Sequence, residues 1–205
     1  MNKILIATHN RAKLTELKFG AKILEKKGIT IVSLDDLHID TEPEETGHTF
    51  TENAVIKAKY YNQFSGLPTI ADDGGLEIEI LNGEPGVKSK RWVGHEGTDE
   101  ELITYTLKRL AGLPKEKRAA YLTVCLCFFD QKTKINICEQ EKIYGHIAEV
   151  PSGRPTHGYP FRALFIVDEF NKYYDELTPE EHNKINHRLK ALKRLVSKIE
   201  DNLIK

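Results

Sequence analysis

Apolar residues recur along this chain in two alternating rhythms. Lys3-Ile-Leu-Ile-Ala7 is a short continuous apolar run, the pattern of a buried strand. A stretch of helical period follows, with Leu14, Leu17, Ile23 and Leu24 on one side, and then a second apolar run at residues 29–33, so the first third predicts a βαβ-like unit. Thr49-Phe-Thr-Glu52 has the form of a capping box and opens a helix through Ala54, Ile56, Ala58 and Tyr61. Thr69-Ile-Ala-Asp-Asp-Gly-Gly-Leu-Glu77 reads as strand, acidic turn, strand. In that reading Gly74 and Gly75 let the backbone turn and bring Asp72 and Asp73 to one edge, whereas a strand running through both would send them to opposite faces. Thr98-Asp-Glu-Glu101 is a second capping box, for a helix ending near Gly112 and Pro114. Two long extended runs, 118–129 and 134–147, predict a hairpin turning near residues 130–133, and 163–167 is a further short strand. Thr178-Pro-Glu-Glu181 opens the last helix, running towards Ile199 with Ile185, Leu189, Leu192 and Leu195 as its stripe; residues 202–205 are expected to fray.

This order predicts an α/β protein, and its 205 residues suit one domain spanning 1–205, with a hairpin lobe at roughly 117–148. A hydrophobic content of 40% and a charged content of 30% supply a sizeable core in a chain free of low-complexity blocks. The net charge of −1 removes any electrostatic case for nucleic acid or an anionic membrane. No apolar run reaches the roughly 18 residues of a membrane span, and the N-terminus runs directly into a strand pattern, so a cytoplasmic location is expected. Cys125, Cys127 and Cys138 are an odd number without zinc-type spacing, and read as buried thiols in a reducing compartment.

Three kinds of residue bear on chemistry: cations with their polar neighbours, carboxylates, and aromatics in a loop. Thr8, Asn10 and Lys13 stand where the first strand passes into a helix, a place where unpaired N–H groups and the helix dipole favour an anion. A solvated lysine behind an Asn cap explains the same residues as well. Glu45, Asp72 and Asp73 are carboxylates of the kind that hold Mg²⁺ or activate water, and the plainer alternatives are an acidic loop and a polar turn. Lys57 shares a helix face with Asn53, while His187 and Arg188 adjoin on the last helix. Tyr159 and Phe161 lie in a glycine-containing loop. A nucleoside triphosphate site would use all three kinds: cations for phosphate, carboxylates for metal and water, and an aromatic wall for a base. Neither a P-loop nor a dinucleotide glycine fingerprint is present.

Six stretches, in order, carry a family resemblance: Ala7-Thr-His-Asn-Arg-Ala-Lys13, residues 44–54 with Lys57, Ala71-Asp-Asp-Gly-Gly-Leu76, Gly86-Val-Lys-Ser-Lys-Arg91, Arg118-Ala-Ala120 and Asn186-His-Arg188. In these the chain resembles the inosine triphosphate pyrophosphatase family, which hydrolyses non-standard purine nucleoside triphosphates such as ITP, dITP and XTP to monophosphate and pyrophosphate. The resemblance implies a long twisted mixed sheet flanked by helices, two lobes with a nucleotide cleft between them, and a homodimer. It also implies roles. Thr8, Asn10, Lys13 and Lys57 would bind the triphosphate, with Gly74 beside it. Glu45 and Asp73 would hold Mg²⁺ with Asp72 in support, and Asp73 would be the base for the attacking water. Tyr159, Phe161, Arg162, His182, His187 and Arg188 would face the nucleotide.

The chain departs from the family pattern at Gly74, where serine is usual, and at His182 and Asn186, where lysine and serine are usual. The base-reading loop, residues 157–165, is two residues longer and lacks its aspartate. An arginine offers only donors where an aspartate offers only acceptors, so altered or relaxed base selectivity is expected. The competing readings are a septum-formation-inhibitor type of pyrophosphatase acting on pyrimidine or modified nucleotides, and a nucleotide-binding sensor without turnover.

Overall fold

The computed structural model describes residues 2–203; of the segment expected to fray, residues 204 and 205 lie outside the described ones. Strand β1 (Lys3–Ala7) leads into helix α1 (Arg11–Gly20) and a short helix α2 (Lys22–Glu25), then β2 (Thr30–Ser33). Helix α3 (Phe50–Ser65) precedes β3 (Thr69–Ile78), and α4 (Asp99–Arg109) precedes the paired strands β4 (Ala119–Asp130) and β5 (Ile135–Ile147). Two short strands, β6 (Phe165–Val167) and β7 (Lys172–Tyr173), and helices α5 (Pro179–Ile185) and α6 (His187–Leu203) complete the chain. The sheet is mixed, in the order β2-β1-β3-β4-β5-β6-β7. β1 runs parallel to β2 and β3, as a βαβ unit requires, while β6 is antiparallel to β5 and β7.

Contacts divide the chain into two units. The first comprises Met1–Gly74, Val124–Glu141 and His187–Lys205, and the second Gly75–Thr123 and Lys142–Asn186. The first unit is built around Ile4, Ile6, Leu17, Ile70, Leu126, Phe128, Leu192 and Leu195, all buried. The second is built around Leu76, Ile78, Trp92, Leu102, Ile147, Phe165, Tyr174 and Ile185.

Three expectations are corrected. The Asp-Asp-Gly-Gly stretch is not a turn: β3 runs unbroken through it, and neither glycine adopts a positive φ. Pairing with β1, which places Leu5, Ile6 and Ala7 opposite Thr69, Ile70 and Ala71, holds the strand extended up to the aspartates. The last helix is two helices. Asn186, at φ −53° and ψ 97°, interrupts it, so Ile185 packs in the second core and Leu192 and Leu195 in the first. A continuous apolar stripe cannot reveal that its halves fill different cores. The cysteines are not all thiols: Cys127 on β4 and Cys138 on β5 face each other with Cα atoms 4.1 Å apart and are bonded as a disulfide, leaving Cys125 free and buried. The hairpin turn at 131–134 brings residues 127 and 138 opposite, a consequence of topology that cysteine spacing does not show.

Capping follows the sequence closely. The boxes at Thr98/Glu101 and Thr178/Glu181 both form, the second with Pro179 at the first helical position. At α3 only half forms: the Thr49 hydroxyl accepts from the Glu52 N–H, but Glu52 accepts from the His48 N–H at 2.6 Å. Gly145 on β5 has no room for a side chain. A Cβ there would stand 2.2 Å from the Ile166 carbonyl oxygen and 2.6 Å from the Phe165 ring. Gly145→Ala is expected to cost at least the roughly 1–3 kcal/mol typical of overpacking, measured as a lowered midpoint in denaturant unfolding.

Candidate active site

The start of α1 is organised by short side chains. The Asn10 N–H donates to the Thr8 hydroxyl at 3.2 Å, and the Asn10 side-chain oxygen accepts from the Lys13 N–H at 3.1 Å. Thr8 and Asn10 thus shape the turn between β1 and α1, and Lys13 stands in the first turn. A cation there opposes the helix dipole, and the counter-charge comes from β3: Lys13 Nζ lies 3.1 Å from Asp72 Oδ2.

Asp72 also receives Arg188, from the first turn of α6, whose Nε lies 3.2 Å from the same oxygen; its Nη1 reaches Glu16 on α1 at 2.8 Å. The Asp72 side chain is only 1% exposed. Burial alone would raise its pKa, but Lys13 and Arg188 prevail and hold the carboxyl well below the usual range. His187, the first residue of α6, is buried beside Arg188.

Asp73 has a different set of neighbours, as alternation along a continuous strand dictates. Its Oδ1 lies 3.5 Å from Lys57 Nζ on α3, and the same ammonium lies 2.8 Å from Glu45 Oε1. Its Oδ2 is buried with no hydrogen-bond partner. Burial raises the Asp73 pKa and Glu45 adds to the rise, against the pull of Lys57. Lys57 is itself held charged, the loss of solvation being outweighed by Asp73, Asp72 and Glu45. Gly74 follows Asp73 as the last residue of the first unit.

Glu45 owes its place to a tight loop. Gly47 donates its N–H to the Asn53 side-chain oxygen at 2.8 Å, and a Cβ on Gly47 would fall 2.6 Å from that oxygen and 2.9 Å from the Asn53 backbone nitrogen. Asn53, read only as a neighbour of Lys57 on the helix face, therefore anchors the loop that carries Glu45. Glu16 is also absent from the expected set; its position one helical turn after Lys13 was the available signal.

The remaining expected residues belong to the second unit. Arg162 lies over the Tyr159 ring at 3.9 Å and the Tyr174 ring at 5.1 Å, and the Tyr174 hydroxyl meets His182 Nε2 at 2.7 Å. These four residues line a recess of about 560 Å³ with Thr156, His157 and others. Phe161 is not in its wall: it is buried and meets Trp92 edge-on. Asp99, at the start of α4, ties the loop down by accepting from the Thr156 hydroxyl and from the Gly158 N–H, the latter at 2.9 Å. Tyr174 and Asp99 were not among the expected residues.

The sequence profile of the Ham1 family matches residues 4–198. The chain belongs to the Ham1 family. It is 40% identical over 200 residues to the dITP/XTP pyrophosphatase of Bacillus subtilis, covering 98% of each chain. Among solved structures, a HAM1 protein from Coxiella burnetii superposes with a TM-score of 0.84 at 32% identity, covering 98% of this chain and all of that one. A nucleoside-triphosphatase / dITP/XTP pyrophosphatase from Mycobacterium abscessus does so with a TM-score of 0.78 at 35% identity, over 95% and 98% of the two chains. The resemblance carried by the six stretches and the expected mixed, helix-flanked sheet are therefore borne out. No helix among the described residues is long and apolar enough to cross a membrane.

In this Ham1-family chain, removing the charge of Asp72 leaves Lys13 and Arg188 with inadequate compensation in a dry setting. Asp72→Asn is expected to lose about 3–5 kcal/mol of stability, read from urea unfolding at neutral pH. The folded pKa of Asp72 lies below the unfolded value of about 3.9. Its contribution is therefore complete above that pH and lost as pH falls through the folded value. The gap between wild type and variant should narrow in acid.

Proposed function

We propose that this protein hydrolyses non-standard purine nucleoside triphosphates, dITP and XTP among them, to nucleoside monophosphate and pyrophosphate, with Mg²⁺ as cofactor, in the cytoplasm and as a homodimer. The observation that carries the reading is Asp73: a buried carboxylate with one oxygen unpartnered and a raised pKa, set beside Glu45 and Lys57. The names of the relatives support the reaction, and the family resemblance supports the homodimer.

The donor set fits the metal. Glu45 and Asp73 offer hard carboxylate oxygens, and the unpartnered Asp73 Oδ2 is the kind of atom that a cation or an ordered water satisfies. Bound there, Mg²⁺ would polarise phosphate oxygens and offset their charge. Asp73, deprotonated, accepts a proton from water as the water oxygen attacks the α-phosphorus. The bond from that phosphorus to the α–β bridging oxygen breaks, and pyrophosphate leaves with its electron pair. Lys57 orients Glu45 and Asp73 and presents charge to the phosphates. Thr8 and Asn10 shape the anion-binding start of α1, and Lys13 adds charge to it. Asp72 is assigned to holding Lys13 and Arg188 in place, in preference to a share in the metal.

The recess around Tyr159, Arg162 and His182 is assigned to the purine. A 6-oxo purine presents an acceptor there and adenine a donor. A guanidinium donor therefore suits hypoxanthine, xanthine and guanine alike and disfavours adenine. Discrimination against GTP is expected to be weak. Selectivity for XTP over GTP above about 100-fold, equivalent to about 2.7 kcal/mol, would contradict this assignment.

Pyrophosphate release from a panel of dITP, XTP, GTP and ATP tests the reaction. Asp73→Asn is expected to lower kcat by about 10²–10⁴-fold, the usual worth of a general base, with no loss of thermal stability, because the buried charge is removed. In the metal-free protein Asp73 should titrate above the ordinary carboxylate value of about 3.9, and Mg²⁺ bound to it should lower that value, both read by carboxyl ¹³C NMR. Equal turnover by Asp73→Asn and wild type would remove Asp73 from the mechanism.

A further inference from the structure

The disulfide and the free thiol lie together. The sulfurs of Cys125, Cys127 and Cys138 are all within 4.8 Å of one another, and those of Cys125 and Cys127 are 3.8 Å apart. Cys125 and Cys127 are two residues apart on β4 and so share a face; Cys138 approaches from β5. Two of the three are fully buried, and the half-buried Cys138 gives access from solvent. Thr51, in the first turn of α3, closes the group: its hydroxyl donates to Cys125 Sγ at 3.3 Å and its carbonyl oxygen lies 3.9 Å from Cys127 Sγ.

We propose that, once the Cys127–Cys138 disulfide is open, the three sulfurs bind one thiophilic cation of the Zn²⁺ or Cu⁺ type, with a Thr51 oxygen or water completing the coordination. Opening requires a two-electron reductant: a dithiol gives up two electrons and two protons and itself becomes a disulfide, and a phosphine with water becomes a phosphine oxide, in either case leaving three thiols on the protein. Metal binding then displaces their protons, since the thiolate is the ligand. The Cys125–Cys127 spacing fits: sulfurs about 2.3 Å from one tetrahedral ion stand about 3.8 Å from each other, a separation that the Cys127 and Cys138 sulfurs reach only once their bond is open. Disulfide exchange between Cys125 and Cys127 suits the geometry less well. Strand residues i and i+2 are about 6.6 Å apart, at the far limit of the Cα separation a disulfide spans. Burial, together with Asp73, Asp72 and Glu139, raises the Cys125 thiol, so only a cation with strong affinity for sulfur displaces its proton. Soft thiolate ligands select such ions over Mg²⁺, which separates this site from the carboxylates of Glu45 and Asp73. A metal here would also fix the first turn of α3, the helix that carries Asn53 and Lys57.

The test uses the full chain reduced with a phosphine, freed of excess reductant, and titrated with Cd²⁺ in the presence of excess Mg²⁺. A sulfur-to-cadmium charge-transfer band saturating at one Cd²⁺ per chain is expected, with none in the oxidised protein. Cys125→Ser should weaken binding at least tenfold. The cadmium NMR shift, which reports the number of sulfur ligands and needs no variant, should indicate three. No saturable band in the reduced chain, a shift indicating two sulfurs, or wild-type affinity in Cys125→Ser would overturn the proposal.

Discussion

Much of the first unit depends on one buried ion cluster, in which Asp72 holds Lys13 and Arg188 together. It joins β3, α1 and the first turn of α6, and Glu16 closes it by taking the other side of the Arg188 guanidinium. Bringing these charges out of water is costly, and a well-packed apolar cluster of the same volume would often serve stability equally well. What apolar residues could not do is fix two cations, each in the first turn of a helix, where backbone N–H groups favour an anion. The cluster is best understood as a positioning device whose stability is a by-product.

A continuous strand constrains its neighbours. Because β3 does not turn at Gly74 and Gly75, its two aspartates must enter different surroundings. Asp72 meets two cations and is kept ionised, while Asp73 loses solvent and shares Lys57 with Glu45, and is pushed the other way. Two identical side chains, adjacent in sequence, thereby acquire separate tasks, as pairs of catalytic carboxylates do when their environments push their pKa values apart.

Most elements of the fold were legible in the sequence, because apolar period and capping chemistry are local. The ends of α3, α4 and both arms of the hairpin fall within a few residues of their expected places. Errors arose where tertiary context overrode a local signal. Gly-Gly is a turn signal in isolation, but pairing with β1 carries β3 up to it. Asn186 breaks a helix whose apolar stripe looks uninterrupted. The Cys127–Cys138 bond follows from strand pairing and not from spacing. Of the site, Lys13, Glu45, Lys57, Asp72, Asp73 and Arg188 were readable in the sequence as the charges a triphosphate and its metal would use. Their partners Glu16 and Asn53 became visible only with the fold, as did Tyr174 and Asp99 beside the recess.

Neighbouring aspartates on one strand are held in opposite ionisation environments, one to position cations and one to take a proton. Carboxyl ¹³C NMR titration of the wild-type protein, with each resonance assigned from the single Asp→Asn variants, measures this directly. Asp73 should titrate above the ordinary carboxylate value and Asp72 below it. Equal pKa values, or the reverse order, would contradict the division of roles between them.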